Sequence, residues 1–147
     1  MEEKRKQKYL NFIHQTLQTF QYPEQLYSLL EQHKELLTLE LGEVLSRFFK
    51  NSQMPKEELA YYSFRLGNSL KHFTGGQPEI KREIAITCYQ NTLTIYTRQD
   101  FPTDWAKIQM ILGVTYSDRI RGDHAQNLEE AIACFQNALP ILTQQDF

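Results

Sequence analysis

The side chains with the most chemistry in this 147-residue chain are four histidines and two cysteines, and their spacing offers little to catalysis. His14, His33, His72 and His124 are scattered singly, without the His-Glu-x-x-His turn or Cys/His cluster that holds a metal ion. Cys88 and Cys134 stand 46 residues apart. They could form a redox pair or a metal site; alternatively they are small buried apolar side chains at equivalent places of a repeating unit. Adjacent helices pack about 8–10 Å apart, whereas a disulfide needs Cα atoms within roughly 7 Å, which favours the second reading. Asp123-His124 could form an acid–base pair, yet it lies in a loop with no nucleophile in register. Gly75-Gly76 lacks the Lys-Ser/Thr that completes a phosphate loop. There is also no glycine-rich dinucleotide fingerprint and no Gly-x-Ser-x-Gly. The expectation is a protein without enzymatic activity, cofactor or metal.

Charge narrows the partners. Lys4, Arg5, Lys6 and Lys8 form a basic cluster beside Glu2 and Glu3, readable either as a contact for nucleic acid or acidic membrane or as a solvated helix start. Arg119 and Arg121 flank a turn and carry the same two readings. The whole chain has 16 basic and 18 acidic side chains and a net charge of −2, without the basic footprint of a nucleic-acid binder. Mean hydropathy is −0.54, and no apolar run approaches the roughly 18 residues of a membrane span. Residues 10–20 are amphipathic with polar gaps, unlike a secretory signal. The expected location is the cytoplasm, whose reducing conditions suit two unpaired thiols.

The elements that must position any site follow from composition and a repeat. Eighteen Leu, ten Ile and 15 Gln against two Val lean the chain towards helix. Shifted by 46 residues, Ala85–Phe101 lies on Ala131–Phe147 with 11 of 17 positions identical. The same offset places Leu66-Gly67 on Leu112-Gly113 and Ala60 on Ala106. One offset serving three separated blocks marks a 46-residue repeat, present nearly twice.

Each unit reads as two helices. Trp105, Ile108, Leu112, Tyr116 and Ile120 step by three or four, after Pro102 and Asp104. Beyond Arg121-Gly122-Asp123, Asn127 and Glu130 have capping-box spacing. From there Leu128, Ala131, Ile132, Phe135, Leu139 and Leu142 line one side of a final helix, which Pro140 is expected to bend or shorten. The earlier unit carries Leu59, Tyr62, Leu66, Leu70 and Phe73, the breaker Thr74–Pro78, then Ile80, Ile84, Cys88 and Ile95. Ahead of the repeats, Leu10, Ile13, Leu17 and Phe20 mark one helix and Leu26, Leu29 and Leu30 a second after Pro23. Leu37, Leu41, Val44, Leu45 and Phe48 mark a third. The expectation is seven helices and no sheet: an all-α chain with an N-terminal cap over 1–54 and helix pairs over 55–100 and 101–147. Gly67 and Gly113 lie inside helices at a cost of about 1 kcal/mol each relative to alanine. Close crossings opposite Ala85 and Ala131 would explain them.

Leu112-Gly113-x2-Tyr116 followed by Ala131-x3-Phe135 resembles the tetratricopeptide repeat signature. The unit is 46 residues rather than roughly 34, and Gln109 stands where that signature has tryptophan. The text of the repeats resembles the long tetratricopeptide-type repeats of cyanobacterial multidomain proteins, which often precede a CHAT domain, a caspase-like cysteine peptidase. The resemblance implies a right-handed helical stack in which first helices line a concave groove for a protein or peptide. Carried over by register, the groove positions are Tyr61, Phe64, Asn68, Lys71 and His72 in the first unit. In the second they are Lys107, Met110, Val114, Ser117 and Asp118. Phe64 and Met110 fall where a carboxylate clamp would place a basic residue, which argues against that mode. Tyr61 and Phe64 could instead pack on the N-terminal helices.

Asp146-Phe147 repeats Asp100-Phe101, which leads into the next helix pair. A repeat array normally ends in a polar capping helix, but the last helix here offers Leu139 and Leu142 instead, so this end is expected to meet a second copy or mark a shortened chain. The function expected is a non-enzymatic scaffold or adaptor. The alternatives are a regulatory part of a larger effector, such as a CHAT peptidase, and a nucleic-acid-binding helical array, which the net charge disfavours.

Overall fold

Prolines and short polar side chains set where the helices begin. A computed structural model describes residues 2–144, and among them are seven α-helices, one 3-10 turn and no strand. These are α1 (Glu2–Thr19), α2 (Pro23–Gln32), the turn Lys34–Leu36, α3 (Leu39–Asn51), α4 (Lys56–His72), α5 (Pro78–Leu93), α6 (Pro102–Ser117) and α7 (His124–Gln144). Proline opens α2, α5 and α6, where its missing N–H costs nothing because the first turn has no acceptor for it. Thr38 caps α3 by accepting from the Leu41 N–H at 3.3 Å.

Two apolar clusters meet along α5. Phe12, Ile13, Leu26, Leu30, Leu45, Tyr62 and Leu70 join α1–α3 to one side of α4, with Ile84 and Cys88 of α5. The cluster crosses residue 54, so the N-terminal helices and the first pair share one core. A buried hydrogen bond of 2.7 Å between the Tyr62 and Thr16 hydroxyls ties α4 to α1. On the other side of α5, Ile86 and Tyr89 pack with Ile108, Leu112 and Tyr116 of α6 and with Ala131 and Cys134 of α7. Chain neighbours α4 and α5, α5 and α6, and α6 and α7 all pack on one another, and α3 lies along α5.

The two helix pairs use one crossing. A Cβ built on Gly67 would lie 2.9 Å from the Tyr89 ring and 3.1 Å from the Cys88 Cβ. On Gly113 it would lie 2.6 Å from the Phe135 ring and 3.1 Å from the Cys134 Cβ. A close approach therefore explains both glycines, but cysteine and an aromatic ring face them, not Ala85 and Ala131. The turns repeat as well. Gly76 and Gly122, one unit apart, have φ of 76° and 83°, a left-handed conformation that favours glycine. One unit apart too, Lys81 and Asn127 are buried and reach back to a loop carbonyl, Phe73 O for Lys81 and Arg121 O (2.8 Å) for Asn127.

Asn127 is thus not the cap that its spacing to Glu130 predicts. Helix α7 begins three residues earlier, and Asp123 Oδ2 accepts from the Gln126 N–H at 3.1 Å. Ile120 leaves the expected stripe because α6 ends at Ser117, and it is exposed. On α7 the buried face is Asn127, Ala131, Cys134 and Ala138, while Leu128, Ile132 and Leu139 are exposed. The close crossing takes the small side chains and the Phe135 ring against Gly113, and the other large side chains are turned outwards. The helix continues past Pro140 to Gln144, so the proline does not end it. The repeated Asp146-Phe147 lies outside the described residues.

Candidate functional site

The ten groove positions fall on α4, α6 and their last turns, and packing supports them unequally. Tyr61 is 43% exposed. Its ring meets Phe20 edge-on at 5.7 Å, and the Arg65 guanidinium lies 5.9 Å from its centroid. Phe64 is half-buried and turns the other way, towards Tyr89 of α5 at 6.3 Å. Of the two rings expected on the N-terminal helices, only Tyr61 packs there. Asn68 accepts a 2.6 Å hydrogen bond from the buried Tyr89 hydroxyl, which fixes its amide. Burial raises the Tyr89 hydroxyl above the ordinary phenol range, so it stays protonated and donates.

On α6, Lys107 is exposed, Met110 half-buried and Val114 40% exposed. Ser117 is half-buried, and its hydroxyl donates to the Val114 carbonyl at 2.7 Å, so it serves the helix end. Asp118 caps that end and is exposed, as is His72. The structure brings together Lys71 and Asp118, which line one small cavity, and joins Phe64 and Asn68 through Tyr89.

Three features escape the sequence reading. A cavity of about 510 Å³ lies where α3 ends, α4 begins and α5 ends, among Phe49, Lys50, Met54, Leu59, Asn91 and Ile95. A second is the bidentate pair of Arg119 with Glu83, at 2.8 Å through both Nε and Nη2, which ties the α6–α7 turn to α5. The third is Lys81, 6% exposed, whose ammonium donates to the Phe73 carbonyl and lies 5.5 Å from the Phe73 ring centroid. Residues from separate elements or helix ends meet at all three sites, and no local spacing in the chain announces them.

Cys88 and Cys134 are both buried free thiols. Burial pushes the Cys88 thiol up to about 12; burial and the Glu130 charge push Cys134 to about 11. Such thiols are poor nucleophiles at neutral pH. Among the described residues no group of three or more His, Cys, Asp or Glu is placed to hold a metal ion. No described helix is long and apolar enough to cross a membrane.

Comparison with protein-family models, curated proteins and solved structures finds no match to this chain.

Proposed function

We propose that this protein is a non-enzymatic scaffold that binds a protein or peptide segment across α4 and α6. In this reading the two helix pairs behind the N-terminal helices form a tetratricopeptide-like array, and binding uses preformed contacts with no chemistry on the partner. The observation that carries it is that Tyr61 and Val114 are exposed, and Phe64 and Met110 only half-buried, on helices packed from behind by α5 and α7. Partly exposed aromatic rings on a rigid support are the usual anchors of a binding surface. The double substitution Tyr61→Ser and Val114→Ser tests it. The variant should unfold within about 1 kcal/mol of the native chain and lose the proteins that the native chain captures from cells of its source. An unchanged captured set from a folded variant contradicts the reading.

A second surface has its own observation. Ile132 and Leu139 on α7 are 54% and 48% exposed, whereas Ile86, one unit before Ile132, is 6% exposed under α6. We propose that this face of α7, with the half-buried Leu142 at its end, is where a second copy associates. Sedimentation velocity across a concentration series should show self-association that Ile132→Glu removes. A native chain that stays monomeric at high concentration would sink this second reading and leave the first intact.

A further inference from the structure

A cavity of about 140 Å³ lies between the last turns of α4 and α6 and the first turn of α5, lined by Leu70, Lys71, Lys81, Arg82, Thr115 and Asp118. Three cationic residues line it against one carboxylate. The other cations of these turns are already matched, Arg119 with Glu83 and Arg121 with Glu79. Lys81 is the most confined. A lysine is seldom so buried without a carboxylate partner, and here its ammonium meets only a carbonyl and an aromatic ring.

We infer that this cavity binds a phosphate group, held by Lys71, Lys81 and Arg82 at the N-terminus of α5. The charge fits: two positive charges remain after Asp118, and a phosphate monoester carries about −1.5 to −2 at neutral pH. The space fits, since water occupies about 30 Å³ per molecule in the liquid and the cavity holds several times that. The Arg82 guanidinium suits two oxygens of one phosphate, and the α5 N-terminus adds a favourable dipole, although Pro78 at the cavity wall has no N–H and the Lys81 N–H is taken by the Gln77 carbonyl at 3.0 Å. Desolvation and the neighbouring Arg82 hold Lys71 and Lys81 below the ordinary lysine range, with Asp118 offsetting this only at Lys71. These cations repel one another, and a bound anion would relieve that repulsion. Thr115 is spent on the Ile111 carbonyl at 2.8 Å and lends only its shape.

The inference deepens the groove reading, because Lys71 and Asp118 belong to both, but its test needs no partner. Inorganic phosphate is titrated into the full-length chain at constant ionic strength, with chloride as the control salt, and amide resonances are followed by NMR. The expected result is saturable shifts at residues 70–72, 79–82 and 115–118, weakened at least tenfold in Lys71→Gln and in Arg82→Gln. Tyr61→Ser should leave them unchanged, which separates this site from the groove. A phosphoserine peptide that binds tighter than inorganic phosphate would mark a partner's phosphorylated residue as the source, and equal affinity would mark the free ion. Shifts that grow linearly and match those in chloride overturn the inference. So does an unchanged phosphate affinity in folded Lys71→Gln and Arg82→Gln.

Discussion

Ile86 and Ile132 occupy the same place in two copies of one sequence unit, yet the first lies under α6 and the second faces outwards. Around them the pairs α4–α5 and α6–α7 agree closely. Each has a glycine against a Cys-aromatic pair, a left-handed glycine in the turn, and a buried polar side chain returning to a loop carbonyl. What differs is the packing outside the crossing. Tyr89 is fully buried, between the crossing and α6, and bonded to Asn68, whereas its counterpart Phe135 is half-buried. The crossing therefore belongs to the unit, while burial of its outer face depends on a neighbour.

This contrast can be broken or sharpened by paired substitutions. The largest effect is expected at the aromatic pair. Tyr89→Ala should cost about 3–5 kcal/mol in denaturant unfolding, and Phe135→Ala at least about 1 kcal/mol less, because its ring already meets solvent. Equal losses would mean that the second crossing is as tightly held as the first.

The glycines come next. Gly67→Ala drives a methyl into a ring that cannot move and should destabilise by about 1–3 kcal/mol. Gly113→Ala meets the Cys134 Cβ at 3.1 Å as Gly67→Ala meets that of Cys88, but its other neighbour, the Phe135 ring, is half-buried with solvent on one side, so its loss should be the smaller of the two. A larger loss at Gly113 than at Gly67, read from the same unfolding curves, would reverse the ranking of the two crossings.

Removing the phenol oxygen in Tyr62→Phe should cost about 1 kcal/mol, since the Thr16 hydroxyl retains its 2.7 Å bond to the Ile13 carbonyl. Thermal unfolding would show it, and a neutral result would mean that α1 is held to α4 by apolar packing alone. The smallest contrast is in the thiols. Both should react with a disulfide reagent far more slowly than an exposed cysteine, with Cys134 ahead of Cys88 because it is less buried and its thiol is raised less. The opposite order, read by mass spectrometry of partly labelled chain, would mean that the first pair opens more readily than the second.

Much of the fold is legible because helices advertise themselves twice, through a 3.6-residue apolar period and through proline at their first positions. All seven appear at the expected places in the chain, and the 46-residue offset anticipates that the two pairs match. The face that each helix buries is less legible. Helix α7 is apolar on more than one side, and hydrophobicity alone selects Leu128, Ile132 and Leu139, while the crossing selects Ala131, Cys134 and Ala138 for their size. Asn127 misleads because its distance to Glu130 matches a cap, although the aspartate before α7 is better placed to supply one. Nothing in the sequence singles out Lys81; only the fold of the α4–α5 turn shows it to be enclosed. For the candidate site, register locates the exposed Tyr61 and Val114, but the link between Asn68 and Tyr89 and the cavity joining Lys71 to Asp118 arise from the turns meeting in space.

The most direct test of the scaffold reading is a photo-cross-linking amino acid at Val114, exposed on α6, against the same group at Gln18, exposed on α1. After irradiation in cells of the source, the account predicts a discrete adduct of one partner from position 114 and none from position 18. Adducts of the same protein from both positions, or none from position 114 with Tyr61 equally silent, would contradict a partner surface on α4 and α6.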